Sequence, residues 1–206
     1  MSSANQDQVS LPISVQPRTL PSLTAMNETL AGKLLLAVCA SGFVALCAHI
    51  TVPLPFTPVP LTFSDFAVLL VGLALGPVTG FAALALYLAE GASGLPVFSP
   101  FGVGGVAQLF GHTGGYLIAY PFAAAIAGAV SRGMARFSSR FVAALTGSAL
   151  ASGFLMLTGT IWLGFLGHLS AMGAFTLGAA PFLPGQVVKI CAAAGIFASL
   201  QRWRRA

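Results

Sequence analysis

The sequence predicts an all-α integral membrane protein of about six transmembrane helices, with a glycine-rich external loop between the third and fourth. Three observations predict it. The 206-residue chain is 57% hydrophobic and only 6% charged, whereas a soluble domain carries about 25% charged residues. Long apolar stretches recur between proline- or glycine-rich breaks, and the basic residues gather in alternate breaks. A charge at mid-bilayer costs at least ~2.5–3.5 kcal/mol, so lipid demands the scarcity of charge that water would penalise. The 24 glycines fit the same solvent, because small residues let helices approach closely where no hydrophobic effect drives their packing.

Residues 1–29 are polar and read as a disordered cytoplasmic tail preceding a membrane domain over 30–206. No basic stretch runs directly into an apolar core, which argues against a signal peptide. The first helix is expected over 30–50. Its Ala37, Ser41 and Ala45 share one face and suit close packing, either within the chain or against a partner subunit. The segment 51–60, TVPLPFTPVP, holds four prolines and marks an external loop. Two short apolar stretches follow, 61–76 and 77–91, split by Gly76-Pro77. At ~1.5 Å per residue each is slightly short of a ~30 Å core, so they form either two short spans or a re-entrant hairpin.

Residues 91–115, GASGLPVFSPFGVGGVAQLFGHTGG, are irregular and external. Such backbone at membrane depth must be buried in protein or line a cavity. The fourth helix is expected over 113–130, the fifth over 141–166 and the sixth over 183–201. A loop at 131–140 joins the fourth and fifth, and one at 167–182 joins the fifth and sixth.

Eight of the nine basic residues fall at the N-terminal flank (Arg18, Lys33), the 131–140 loop (Arg132, Arg136, Arg140) and the C-terminus (Arg202, Arg204, Arg205). With six spans these places share one side, which the positive-inside rule makes cytoplasmic. The pI near 9.6 therefore reports topology. It does not indicate nucleic acid, because no interleaved basic–aromatic patch is present. Cys39, Cys47 and Cys191 are odd in number, lack metal-ligand spacing and read as apolar fillers.

The ninth basic residue, Lys189, lies early in the sixth helix and so in the outer half of the membrane, one turn from Gln186. Asp65, Glu90, Gln108 and His112 fall on the same outer side. An intramembrane ionisable residue is a functional candidate; for Asp65 and Glu90 the alternative is an interfacial charge turned to water. His112 and His168 read as loop residues and His49 as structural. A lone amine in an apolar pocket suits a carboxylate ligand.

The segments 55–80 (PFTPVPLTFSDFAVLLVGLALGPVTG), 85–98 (ALYLAEGASGLPVF), 111–121 (GHTGGYLIAYP) and 181–189 (PFLPGQVVK) resemble the BioY family, the biotin-binding S components of energy-coupling-factor transporters. The similarity runs in order from about residue 33 to 200. The resemblance implies a six-helix S-component fold whose external loop between helices three and four closes over biotin. It implies that Lys189 and the segment 111–116 serve the ligand, and that the partners are a transmembrane coupling protein and two ATPases. This chain has no GxxxxGK[ST] phosphate loop of its own, and no cofactor is expected.

Two positions depart from the family pattern: His112 stands where proline is usual, and Gln186 where an acidic residue is common. The second leaves Lys189 without a neighbouring counter-ion until a carboxylate arrives. On this reading Gly105, Thr113, Gly115 and Tyr116 would offer amides and hydroxyls to the ureido ring. Tyr87 and Phe98 would stack on the apolar rings. Lys189, beside Gln186, would hold the carboxylate, with the opposite ligand orientation left open as the alternative. Three rival readings are weighed: an S component for another vitamin, a passive channel, and a rhomboid-like protease using Ser93 of the Gly91-Ala92-Ser93-Gly94 motif with His168 as base.

Overall fold

The computed structural model describes residues 29–203; all of the expected tail but Thr29, and the basic residues Arg18, Arg204 and Arg205, lie outside them. Four helices are long and apolar enough to cross a membrane: α1 (Leu30–His49), α5 (Gly114–Met134), α6 (Arg140–Leu166) and α8 (Leu183–Trp203). Two shorter apolar helices, α2 (Ser64–Leu75) and α3 (Pro77–Ala92), lie between α1 and α5, and two short surface helices, α4 (Gly105–Leu109) and α7 (Ala171–Gly178), complete the set.

Local chemistry sets the boundaries. Thr29, Ser139 and Ser170 cap α1, α6 and α7 by accepting hydrogen bonds from the amides of Gly32, Val142 and Gly173, which satisfies donors that a helix start leaves free. Gly76, at φ 83°, takes a backbone conformation that only glycine adopts without cost. It ends α2, and Pro77 then opens α3 at the position where a missing amide proton is harmless. The reversal is tight: a Cβ on Gly80 would stand 3.3 Å from the Cα of Gly72. Together α2 and α3 are the two short apolar helices expected over 61–76 and 77–91, joined by this tight turn.

Packing centres on α2, which is buried by α5, α3, α8 and α1. Toward its C-terminal end Gly72 abuts Ala124, and Gly128 abuts the backbone at Gly72 and Gly76, so α5 and α2 touch main chain to main chain. The Arg132 guanidinium donates to the Leu75 carbonyl (2.9 Å), and Arg140 donates to the Gln201 side chain (2.9 Å). These contacts gather the α2–α3 turn, the α5–α6 connection and the end of α8 at one end of the bundle. Leu34, Leu46, Leu150, Ile161, Val187 and Val188 cover the outer faces and are exposed, as lipid-facing side chains are.

The four-proline segment is non-helical, as expected, and it is anchored. A two-residue antiparallel ribbon, β1 (Thr51–Val52) with β2 (Leu61–Thr62), closes its base. Thr57 donates to the Leu177 carbonyl (2.8 Å), and Val59 is buried with Tyr116, Met156, Leu163 and Phe182. The glycine-rich segment is not wholly irregular, because α4 forms within it, entered through Gly104 and Gly105 at φ 70° and 60°.

In the strip Ala37, Ser41, Ala45, the first two residues pack within the chain. Ala37 and Ser41 are buried, and the Ser41 hydroxyl donates to Glu90 on α3. Small residues there allow α1 to approach α3, and Ala45 is half-buried.

Candidate functional site

At the end of the bundle opposite the Arg132 and Arg140 contacts, four elements meet around one carboxylate. Asp65 sits in the first turn of α2, where the helix dipole favours negative charge. Its Oδ2 accepts from Gln186 Nε2 (2.8 Å) and from Lys189 Nζ (3.1 Å), both on α8, and its Oδ1 accepts from Tyr120 Oη (3.0 Å) on α5. Lys189 donates in addition to the Thr62 carbonyl of β2 (2.6 Å). The Lys189–Asp65 ion pair is shielded, with side chains 7% and 14% exposed, so desolvation is offset only because further hydrogen bonds complete both partners. One acceptor stays open: the buried Oε1 of Gln186 has no partner.

Above this floor lies an inner chamber of about 40 Å³, lined by Thr62, Asp65, Tyr87, Tyr116, Tyr120 and Met156 among others. Beside it lies a vestibule of about 140 Å³, lined by Pro58, Phe101, Gly102, Val103 and His112. Pro60, Ser99, Gln108 and Thr113 border both spaces. The inner chamber alone takes on the order of three waters; a ring-sized solute needs both chambers, or an outward shift of the glycine-rich loop. Aromatic rings make the walls: Tyr87 stacks on Tyr120 (centroids 6.2 Å apart) and donates to the Val97 carbonyl (3.1 Å).

Of the residues selected from sequence, Tyr87, Thr113 and Tyr116 line the chamber. Gln186 and Lys189 sit directly behind Asp65, which stands between them and the open space. Lys189 is therefore not without a counter-ion; Asp65 supplies it across 124 residues of sequence. Phe98 does not line the cavity: its ring packs edge-on against Tyr87 (5.4 Å) and fills the space over Gly91. Gly115 is also outside it, because α5 presses this residue against Trp162 of α6, on an apolar groove facing away. Gly105 serves the backbone turn into α4 and lines neither chamber.

Asp65 and Gln108, outer-side candidates in the sequence without an assigned role, join the site, and Tyr120 was missed. Gln108 is 3% exposed, and its Oε1 accepts from the Gly104 amide (3.2 Å). The available signal was one acidic residue facing one amine, both on the outer side of apolar helices. His49 bonds the Ala45 carbonyl (2.8 Å) within α1 and is structural, as expected. His168 lies in the turn after α6. No cluster of three metal-ligating side chains occurs among the described residues.

Residues 17–206 match the sequence profile of the BioY family. The chain belongs to the BioY family. It is 41% identical over 145 residues to a Pyrococcus horikoshii protein named "Probable biotin transporter BioY", covering 70% of this chain and 82% of that one. It is 33% identical to the biotin transporter BioY of Rhizobium etli, over 78% of this chain and 87% of its relative. A crystal structure of the S-component for biotin from an ECF-type ABC transporter superposes with a TM-score of 0.75 at 25% identity, covering 82% of this chain and 90% of the other. The fold is thus that of a multi-pass membrane S component. BioY membership makes this a transport protein and not an enzyme, so the protease reading falls. Ser93 merely closes α3, its hydroxyl donating to the Glu90 carbonyl (2.6 Å).

Proposed function

We propose that this BioY protein is the substrate-capture subunit of a biotin uptake system in the cytoplasmic membrane. On this reading six helices cross the bilayer: α1, α2, α3, α5, α6 and α8. Both termini face the cytoplasm, and the two-chamber cavity faces outward beneath the glycine-rich external loop. Energy comes from a transmembrane coupling protein and two ATPase subunits. The observation that carries the reading is the chemistry of the cavity: aromatic walls around a polar floor made by Asp65, Gln186 and Lys189.

That floor favours one orientation of biotin over the other. Lys189 is already neutralised, and Asp65, the charge nearest the cavity, repels a carboxylate. An uncharged ureido group suits the floor better, because its N–H groups can donate to Asp65. Tyr87, Tyr116 and Tyr120 then enclose the fused rings, and the valerate carboxylate points to the vestibule, near Thr113 and His112. Hydrogen bonds to a charged group contribute about 1.5–3 kcal/mol each, enough for tight capture of a small ligand.

The test is equilibrium binding of radiolabelled biotin to the purified chain, with thiamine and riboflavin as competitors. Saturable binding displaced by unlabelled biotin alone is expected. Failure to retain biotin, or displacement by another vitamin, overturns the assignment. Biotin accumulation by cells making this chain alone would remove the requirement for the ATPase module.

A further inference from the structure

The end of the bundle away from the cavity carries charge of one sign. Lys33, Arg132, Arg136, Arg140 and Arg202 gather there, while Asp65 and Glu90, the two acidic residues among those described, lie toward the cavity. Two of these cations are already engaged. Arg132 serves the Leu75 carbonyl, and Arg140 donates to the main-chain carbonyl and the side chain of Gln201 (3.2 and 2.9 Å), which holds the start of α6 against the end of α8. Arg136 and Arg202 are exposed and, among the described residues, make no hydrogen bond and no ion pair. The α6–α8 tie therefore brings two unengaged guanidinium groups to one end, on the α5–α6 connection and on α8.

An aromatic ring follows each of them. Phe137, next to Arg136, is 90% exposed, and Trp203, next to Arg202, is 87% exposed; no other large apolar side chain among the described residues is as bare. One turn further into the bundle, Phe141 on α6 and Leu200 on α8 are exposed as well, so the basic end runs on into lipid-facing surface. Tryptophan favours the membrane–water interface, and arginines there attract anionic headgroups. An acidic protein face would complement the arginines alone. A molecule with an anionic head and apolar tails complements the arginines, the rings and the apolar faces together.

We propose that Arg136 and Arg202 hold the phosphate of an anionic phospholipid, with Phe137 and Trp203 beside its glycerol region and its acyl chains along the exposed faces of α6 and α8. Arginine suits this task because its planar fork can reach two phosphate oxygens at once. The site is separate from the cavity and does not depend on which solute the cavity takes.

The chain has two tryptophans, Trp162 and Trp203, so Trp162→Phe leaves Trp203 as the only indole. The full chain with this substitution is reconstituted in phosphatidylcholine vesicles containing a minor fraction of brominated lipid, either phosphatidylglycerol or phosphatidylcholine. Bromine quenches indole fluorescence on contact. At equal fraction, brominated phosphatidylglycerol is expected to quench Trp203 more strongly. Its local enrichment should fall roughly fivefold for each arginine removed by Arg136→Gln and Arg202→Gln, and it should shrink in high salt. The unsubstituted chain in detergent gives a second readout that does not rely on Trp162→Phe. Added phosphatidylglycerol should raise its melting temperature and phosphatidylcholine should not. The Arg136→Gln, Arg202→Gln double variant should lose that shift while melting as wild type does without lipid, because neither side chain supports the fold. Equal quenching by the two brominated lipids overturns the proposal and leaves the surface to an acidic protein face. Selectivity retained in the double variant overturns the two arginines as the site, leaving only the general field of a basic chain. Glycerol phosphate that raises the melting temperature as much as phosphatidylglycerol overturns the lipid in favour of a free phosphate compound.

Discussion

Tyr116 Oη donates a 2.5 Å hydrogen bond to the Gly178 carbonyl, tying α5 to the last residue of α7. The ring that reaches this carbonyl also forms a wall of the inner chamber, and it lies directly over Gly159 of α6, where a Cβ would collide with it. One side chain therefore couples helix packing, a loop anchor and the shape of the cavity. Gly159→Ala is expected to push the ring aside at an overpacking cost of about 1–3 kcal/mol. Melting temperature and biotin affinity should fall together. Tyr116→Phe keeps the wall and removes only the hydroxyl, so its stability loss should be about 0.5–1.5 kcal/mol. Equal losses in the two variants would refute the steric account.

The buried ion pair makes a second prediction. Removing one member of such a pair destabilises by about 3–5 kcal/mol, whereas replacing both by uncharged groups is often close to neutral. Lys189→Met should therefore melt well below wild type, and Asp65→Asn combined with Lys189→Met should melt above Lys189→Met alone. Biotin binding should be lost in both, because the floor no longer holds its charge pattern. A double variant less stable than Lys189→Met would mean that Asp65 finds another cation, and the pairing would carry no weight.

A third prediction concerns the opposite end. Arg132 reaches the Leu75 carbonyl beside the Gly76 turn, placing a cation at the C-terminus of α2, where the helix dipole welcomes it. Its side chain is largely exposed, so Arg132→Ala should cost only about 1 kcal/mol. It should lower the melting temperature slightly and leave equilibrium biotin binding unchanged. A tenfold change in affinity would show that this contact is coupled to the cavity across the bundle.

The long helices were legible because apolar length and proline or glycine breaks are local properties. The expected span 141–166 and the observed Arg140–Leu166 differ by one residue. Lys189 and Gln186 were legible as an unusual pair on one helix face. Asp65 was harder: its partners lie 55 to 124 residues away, and nothing in its neighbourhood in sequence reveals which helix end it meets. Phe98 and Gly115 failed for a related reason. Residue type qualified each for a binding site, but Phe98 is spent on covering Gly91 and Gly115 on admitting Trp162. The Ala37, Ser41, Ala45 strip was legible as a close-packing face, while its partner, α3, was a matter of tertiary arrangement.

The orientation of the bundle gives the last prediction. Phe137, in the α5–α6 connection, is 90% exposed, and Met172, on α7, is 71% exposed; the proposed six crossings would put them on opposite sides of the membrane. Cys39 and Cys191 are exposed on helix faces, and Cys47 is buried, so replacing all three by alanine removes competing thiols with little loss of packing. In that background Met172→Cys should react with a membrane-impermeant maleimide in intact cells, and Phe137→Cys should react only after the membrane is opened. The basic residues Arg132, Arg136 and Arg140 surround Phe137 in sequence, and the positive-inside rule sets the expected direction. Labelling of Phe137→Cys in intact cells would invert the bundle, turn the cavity toward the cytoplasm and end the case for capture from outside.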